Sequence, residues 1–262
     1  MRTGEPLIIL HGLYGSSDNW LNIGEQLSEQ FTVYLIDQRN HGKSPHSNTH
    51  TYPDMRDDLL EFMDTNSIRE ANIIGHSMGG KTAIYFALKY AERVKRLIVV
   101  DILPTPYKID DTSAPQIMSH KNILKALQDI DTDKIKTLRE ADKTLKDAIP
   151  YKKVRQFLLK NLKRDENKKF YWLLNINTLV KELPNIMDGL DTDEIPETEK
   201  PATLPVLFIK GEKSDYIPED SRELIKRIFS KAVMTTIKGA GHWVHAEKRN
   251  SFIMVVMNFL KN

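Results

Sequence analysis

The stretch Ala71 to Leu88, ANIIGHSMGGKTAIYFAL, restricts this chain more than any other. A short apolar run ends in Gly75-His76-Ser77-Met78-Gly79, and helical periodicity begins at once. Gly-x-Ser-x-Gly between a strand and a helix is the pattern of a nucleophile elbow. So tight a turn leaves no room for a Cβ beside the serine, which calls for Gly75 and Gly79 on steric grounds. It lifts the Ser77 hydroxyl above the strand end, where the free N–H groups and dipole of the next helix favour negative charge. The same residues fit a second template. Gly75 to Thr82 reads Gly-x4-Gly-Lys-Thr, a phosphate-binding loop between strand and helix. Leu97-Ile98-Val99-Val100-Asp101 could then be the metal-holding strand such a protein needs. The rest of the chain has to decide between the two.

Around this stretch, apolar β-rich runs alternate with helical patterns. Pro6–Leu10 reads as a strand ending in His11-Gly12, followed by a helix through Trp20, Ile23 and Leu27 with Ser16 to Asp18 as its caps. Phe31–Ile36 is the next strand and ends in the polar loop Asp37-Gln38-Arg39-Asn40-His41-Gly42-Lys43-Ser44. A helical pattern runs from Met55 to Met63. Val94–Asp101 is almost purely aliphatic, as expected of a strand buried on both faces of a parallel sheet. The alternation predicts an open, mostly parallel α/β sheet flanked by helices.

At Pro104 the character changes. From Thr105 to Lys200 the patterning predicts only charged amphipathic helices, at Ile123–Ile130, Thr132–Ile149, Val154–Leu162 and Phe170–Leu183. We therefore expect a core of residues 1–104 and 201–262 with an all-helical cap of residues 105–200 inserted late in the sheet. Strand and helix alternation then resumes, with strands at Val206–Ile209 and Ala232–Ile237 and helices at Glu219–Phe229 and Asn250–Leu260. A length of 262 residues suits one such domain with an insert. No apolar run approaches the roughly 18 residues of a membrane span. The start, MRTGEPLIIL, lacks the h-region and cleavage site of a signal peptide. There is no cysteine, so disulfides, thiolate metal sites and a cysteine nucleophile are excluded. Cytoplasmic residence is the expectation. A net charge of +2 gives no ground for a nucleic-acid partner.

A serine hydrolase of this architecture needs a nucleophile, a histidine base, a carboxylate to orient the base, and two N–H donors for the oxyanion. Ser77 is the nucleophile. The base has to come from a loop after a late strand, and His242 stands in the glycine-rich turn Gly239-Ala240-Gly241-His242-Trp243 after Ala232–Ile237. His245 reads as a packing or surface residue. The first oxyanion donor is the backbone N–H of Met78, after the nucleophile. The second is that of Leu13 in His11-Gly12-Leu13, where Gly12 lets the backbone approach. Two carboxylates are candidates for the acid, Asp101 at the end of the strand after the elbow helix and Asp215 after Val206–Ile209. Asp37, Arg39 and His41 are expected to hold their loop in shape. Lys152–Lys169 carries eight Lys and Arg against two acids. It reads as a solvated helix face, with attraction to anionic groups as the alternative. Tyr171 and Trp172 are candidate pocket-lining residues or core.

Four motifs together resemble the α/β-hydrolase superfamily and, within it, the small YbfF-like acyl esterases. They are Ile9-Leu10-His11-Gly12-Leu13-Tyr14-Gly15, Asp37 to Ser44, Gly75 to Lys81, and Gly241-His242-Trp243-Val244-His245-Ala246-Glu247-Lys248. The insert matches only in place and helical character. The resemblance implies a helical cap over the active site. It also implies hydrolysis of small-molecule acyl esters, with acyl-CoA thioesters as an extension of the same class, without a cofactor or metal. In the wider superfamily the acid lies four residues before a proline in the loop after the strand Val206–Ile209; counting back from Pro218 gives Ser214, beside Asp215. The resemblance to the YbfF-like group implies that an aspartate at the place of Asp101 orients the histidine, so Asp101 ranks first and Asp215 second. Superfamily members usually carry a hairpin before the His-Gly strand; only five residues precede Pro6 here, so an exposed edge strand is expected.

The phosphate-loop reading leaves His-Gly-Leu and Gly-His-Trp without a role, whereas the hydrolase reading leaves Lys81 as an early residue of the elbow helix. A hydrolase fold serving as a non-catalytic binding module is a third class. Carbon–carbon hydrolases, lyases and acyltransferases share the same triad and stay open at this point.

Overall fold

The structure, a computed structural model, describes residues 4–107, 120–192 and 195–261. Its centre is a six-stranded sheet, in spatial order Phe31–Ile36, Glu5–Leu10, Ala71–His76, Val94–Val100, Val206–Gly211 and Val233–Ile237, with every neighbouring pair parallel. The strands are β1 (Glu5–Leu10), β2 (Phe31–Ile36), β3 (Ala71–His76), β4 (Val94–Val100), β7 (Val206–Gly211) and β8 (Val233–Ile237). Parallel strands need crossovers, so helices cover both faces and the central strands are apolar on both sides. The aliphatic residues of β3 and β4 are accordingly buried, divided between a core cluster on each face. On one face α2 (Tyr52–Thr65) and α3 (Met78–Lys89) cover Ile73, Leu97 and Val99. On the other, α1 (Leu21–Leu27) and the helix Arg249–Lys261 cover Ile74, Ile98 and Val100. Among the described residues β2 forms one edge of the sheet and β8 the other.

The chain passes from β1 to β2 on one side and then to β3 on the other. The carboxyl ends of β1 and β3 therefore diverge into a crevice at a topological switch point, where open α/β sheets bind ligands. His11-Gly12 and the Ser77 turn both lie there.

Between the adjacent strands β4 and β7 the chain makes its excursion. Its described part contains α4 (His120–Gln128), α5 (Leu138–Leu145), α6 (Lys152–Leu158), β5 (Leu162–Arg164), β6 (Phe170–Trp172), α7 (Ile176–Lys181) and α8 (Leu183–Met187). Residues 108–119 and 193–194 of the expected insert lie outside the described residues. Among its described residues the insert's regular elements are helical with one exception. The stretches read as helix through Leu162 and from Phe170 form an antiparallel hairpin, with Leu162 opposite Trp172 and Arg164 opposite Phe170. Three consecutive aromatics favour a pleated strand over a helix. The turn is closed by bonds between Asp165 and Lys169 and by Lys168 at φ 64°. The stems of the excursion meet where Leu190 N–H donates to the Pro104 carbonyl at 2.8 Å.

Candidate active site

Ser77 sits between β3 and α3 at φ 53°, ψ −121°, a conformation costly for any residue with a side chain. Its surroundings hold it there. Ser77 N–H donates to the Val100 carbonyl at 2.9 Å, and the Ser77 carbonyl accepts from Gly80 and Lys81. The neighbouring glycines are needed for close approach. A Cβ on Gly75 would lie 2.2 Å from the Gly79 carbonyl oxygen, and one on Gly79 2.5 Å from that of Leu10. The β1 loop passes so near that a Cβ on Gly12 would meet Ser77 Cβ at 3.1 Å. This brings the loop that carries Leu13 alongside the Ser77 turn. Among the described residues, neither Leu13 N–H nor Met78 N–H is bonded to a protein acceptor. For Met78 this follows from its place as the first residue of α3.

His242 follows β8. Its Nδ1 lies 2.8 Å from Asp101 Oδ2. An Nδ1–H donated to a carboxylate leaves the lone pair on Nε2, the form a base requires. Asp101 is fully buried and directly follows β4, in a left-handed conformation with φ 54°. Its carboxylate is well supplied with donors: Gly211 N–H reaches Oδ1 at 2.9 Å, and Ser214 Oγ–H reaches Oδ2, the oxygen that also faces His242. A carboxylate can leave water at tolerable cost only when its lone pairs are satisfied in this way. Asp215 is exposed and has no bond to His242 among the described residues. Ser214, reached by counting back from Pro218, thus contributes as a donor to Asp101.

Other residues brace His242. Tyr216 stacks on its ring at 3.9 Å between centroids, 18° from parallel. Tyr107 Oη–H donates to the Tyr216 carbonyl at 2.6 Å and accepts from Leu103 N–H. His76 Nε2 lies 2.9 Å from the His242 carbonyl. His245 is buried, stacked on Trp20 at 4.0 Å. Burial lowers its pKa to about 3, keeping it neutral. The sequence pattern gave no weight to Ser214, Tyr216 or His76 as parts of the site. For Ser214 the signal was there, a hydroxyl where the wider superfamily puts its acid.

The loop after β2 does what was expected of it. Asp37 accepts from Ser17 N–H at 2.6 Å and Lys43 N–H at 2.9 Å, Arg39 pairs with Asp58, and His41 Nε2 accepts from Tyr14 N–H. The phosphate-loop reading fails on geometry. Thr82 Oγ1 turns to Gln38 and the Met78 carbonyl, and buried Lys81 donates to the Asp188 carbonyl at the end of α8. Both side chains are spent on internal bonds. Among the described residues no cluster of His, Asp or Glu could hold a metal ion, and no helix is long and apolar enough to cross a membrane.

Ser77 and His242 open on a cavity of about 520 Å³ between the sheet and the excursion. Leu13, Ile123, Val154, Phe157, Leu158 and Trp243 make its wall largely apolar, and Tyr151, 59% exposed, stands in its lining. Tyr171 and Trp172 do not line it. Tyr171 is exposed, and Trp172 packs within the excursion's own cluster.

The family model described as alpha/beta hydrolase fold matches residues 5–249. An sn-1-specific diacylglycerol lipase, ABHD11, of Xenopus laevis is 36% identical, the match covering 99% of this chain and 80% of that protein. Esterase YbfF of Escherichia coli K12 is 32% identical over 98% of this chain and 93% of its own length. Among solved structures, an esterase from a marine microorganism is 46% identical, with a TM-score of 0.91 and coverage of 98% of this chain and 95% of that one. The chain belongs to the alpha/beta hydrolase fold family.

Proposed function

We propose that this protein is a carboxylic ester hydrolase that cleaves small-molecule acyl esters by double displacement at Ser77. The observation that carries the reading is His242 Nδ1 at 2.8 Å from buried Asp101, on a cavity that His242 shares with Ser77. The similarity to proteins named esterase and lipase supports the same class. In the first displacement Ser77 Oγ attacks the acyl carbonyl while His242 Nε2 takes its proton. Negative charge collects on the carbonyl oxygen, which the N–H groups of Leu13 and Met78 receive. His242 returns the proton to the leaving alcohol, and an acyl-Ser77 ester remains. Water then repeats the sequence, its proton passing to His242 and back to Ser77 as the acid departs. Asp101 holds the imidazole in its productive tautomer and supports the imidazolium without taking the proton. We assign the excursion, residues 105–200, the role of a cap that shapes the acyl pocket, supported by Ile123, Val154, Phe157 and Leu158 in its wall. An acyl-CoA thioester presents the same carbonyl to the same groups and falls within the reading.

A fluorophosphonate probe tests it, with nitrophenyl esters and acyl-CoAs of graded length. Labelling at Ser77 that is lost in Ser77→Ala, with turnover of at least part of the panel, is the expected result. No label and no turnover on any ester or thioester overturns the proposal.

A further inference from the structure

One polar feature of the cavity wall takes no part in the acyl transfer just described. Tyr14 Oη lies 3.2 Å from His120 Nδ1, with the rings tilted and their centroids 5.7 Å apart. Tyr14 belongs to the loop after β1 and His120 opens α4, so the pair joins core to excursion inside the cavity. Ile123, Leu158 and Phe157 of the same wall offer carbon only.

The chain goes to some length to aim Tyr14. Its φ of 62° is uncommon outside glycine. Buried partners hold it on both sides: its N–H donates to His41 Nε2 at 3.2 Å, and its carbonyl accepts from Asn161 Nδ2 at 2.8 Å. Strained positions of this kind gather at functional sites.

A phenol has one donor and two acceptor positions, and a neutral imidazole has one of each. Their mutual bond uses one donor and one acceptor. If Tyr14 donates, His120 Nε2–H and a Tyr14 lone pair remain. In the other tautomer the Tyr14 hydroxyl hydrogen and the Nε2 lone pair remain. Among the described residues, nothing is bonded to His120 Nε2 or to Tyr14 Oη beyond the pair itself. Either way a donor and an acceptor stand side by side, the complement of a hydroxyl group. Burial lowers the His120 pKa to about 4, with nearby His242 adding to it, and burial raises that of Tyr14 well above the usual phenol value. The pair is thus uncharged at neutral pH and lies within electrostatic reach of His242.

We infer that Tyr14 and His120 form a polar subsite that selects esters carrying a neutral hydroxyl group near the scissile bond. The inference rests on the ester-hydrolase reading. The hydroxyl can sit on the acyl chain or on the leaving alcohol, and two matched substrate pairs tell these apart: ethyl hydroxyhexanoates against ethyl hexanoate, and glyceryl monohexanoate against propyl hexanoate.

In the wild type, kcat/KM favours the hydroxylated member of one pair by at least about tenfold, as expected where a site offers hydrogen bonds that the deoxy analogue leaves unmade. In Tyr14→Phe and His120→Phe that ratio falls to within about threefold of unity. His120→Gln, which keeps a donor and an acceptor, retains part of the preference. A tie that merely fastened the excursion would lower the unfolding temperature of the variants and leave the ratio alone. No preference in either pair, or a preference that survives both phenylalanine variants, overturns the inference. Should those variants fail to fold, the wild-type ratios and His120→Gln decide. Failure of the ester reading looks different, as an unlabelled Ser77 with no ester turned over, and it removes both proposals.

Discussion

Asp101 combines two costly states, a buried carboxylate and a left-handed backbone, and the site is arranged to support both. Gly211 N–H and Ser214 Oγ–H satisfy the carboxylate, and Asp101 N–H donates to the Ile209 carbonyl of β7 at 2.8 Å. Asp101→Asn keeps the volume but puts an amide where a charge faced His242 Nδ1. In a serine protease the matching change lowers kcat by about 10⁴, and a loss of that order is the expected outcome here. Asp215→Asn alters only an exposed loop carboxylate, and its kcat should stay within about threefold of wild type. The reverse ranking in steady-state kinetics would move the acid to Asp215. Ser214→Ala removes one charge-assisted bond and leaves Gly211 and His242 in place. Such a bond is worth about 1.5–3 kcal/mol at most, so kcat should fall by roughly ten- to a hundredfold with the fold intact.

At the scale of elements, the seam between α3 and α8 is the least expected construction. Lys81, 1% exposed, donates from the elbow helix to the Asp188 carbonyl and lies over the rings of Tyr107 and Tyr52 at 4.8 and 5.5 Å. Tyr52 Oη–H reinforces the seam by donating to the Ile186 carbonyl at 2.7 Å. Desolvation lowers the Lys81 pKa from 10.5 to about 7, against a smaller upward pull from Asp188. Between those values the unfolded chain holds a proton that the folded chain has given up, so this residue's contribution to stability rises with pH. Urea unfolding of wild type and Lys81→Met from pH 7 to 10 should show the difference moving in favour of wild type, by up to about 1.4 kcal/mol per pH unit. A flat difference would mean that Lys81 stays charged. The sequence made the strands and the elbow readable because their signals are local: aliphatic runs, glycine spacing and the switch of period at Ser77. The hairpin at Leu162–Trp172 was hidden because its strands are three residues each, too short for alternating and helical spacing to differ, and the aromatic run of the second was the one strand signal. The seam was hidden for a different reason: Lys81 and Asp188 lie 107 positions apart, and nothing in either neighbourhood announces the other. The pairing of Asp101 with His242 is also long-range, across 141 positions, and only the resemblance ranked it above Asp215.

Across the whole molecule the most unusual property is the number of imidazoles held inside without charge. His11, His41 and His50 belong to the loops that follow β1 and β2, His76 and His245 lie beside Trp20, and His120 stands in the cavity wall. Burial lowers all six below the usual 6.5, to about 3 for His50 and His245 and about 4 for His120. Protonating any of them in place would put a charge where burial has removed water, and at His41 and His76 beside other imidazoles as well. The unfolded chain takes up these protons from about pH 6.5 downward, whereas the folded chain resists, to near pH 3 at His50 and His245 and near pH 4 at His120. In that window the unfolded state binds more protons, so stability falls as the pH falls, each histidine contributing up to about 1.4 kcal/mol per pH unit. Carboxylates with lowered pKa, such as Glu5 and Asp54, act only at the acid end of the window, below their unfolded values of 4.5 and 3.8. The protein should therefore lose stability steeply between pH 6.5 and 5, where carboxylates barely titrate, with an uptake of several protons on unfolding. Denaturant unfolding across that range gives the proton number from its slope, and a slope of one proton or fewer would show that the imidazoles are charged or solvated in the folded state. Trp20 lies against His245 and His76, so His245→Phe, which keeps the stacked ring, should remove close to one proton from that slope.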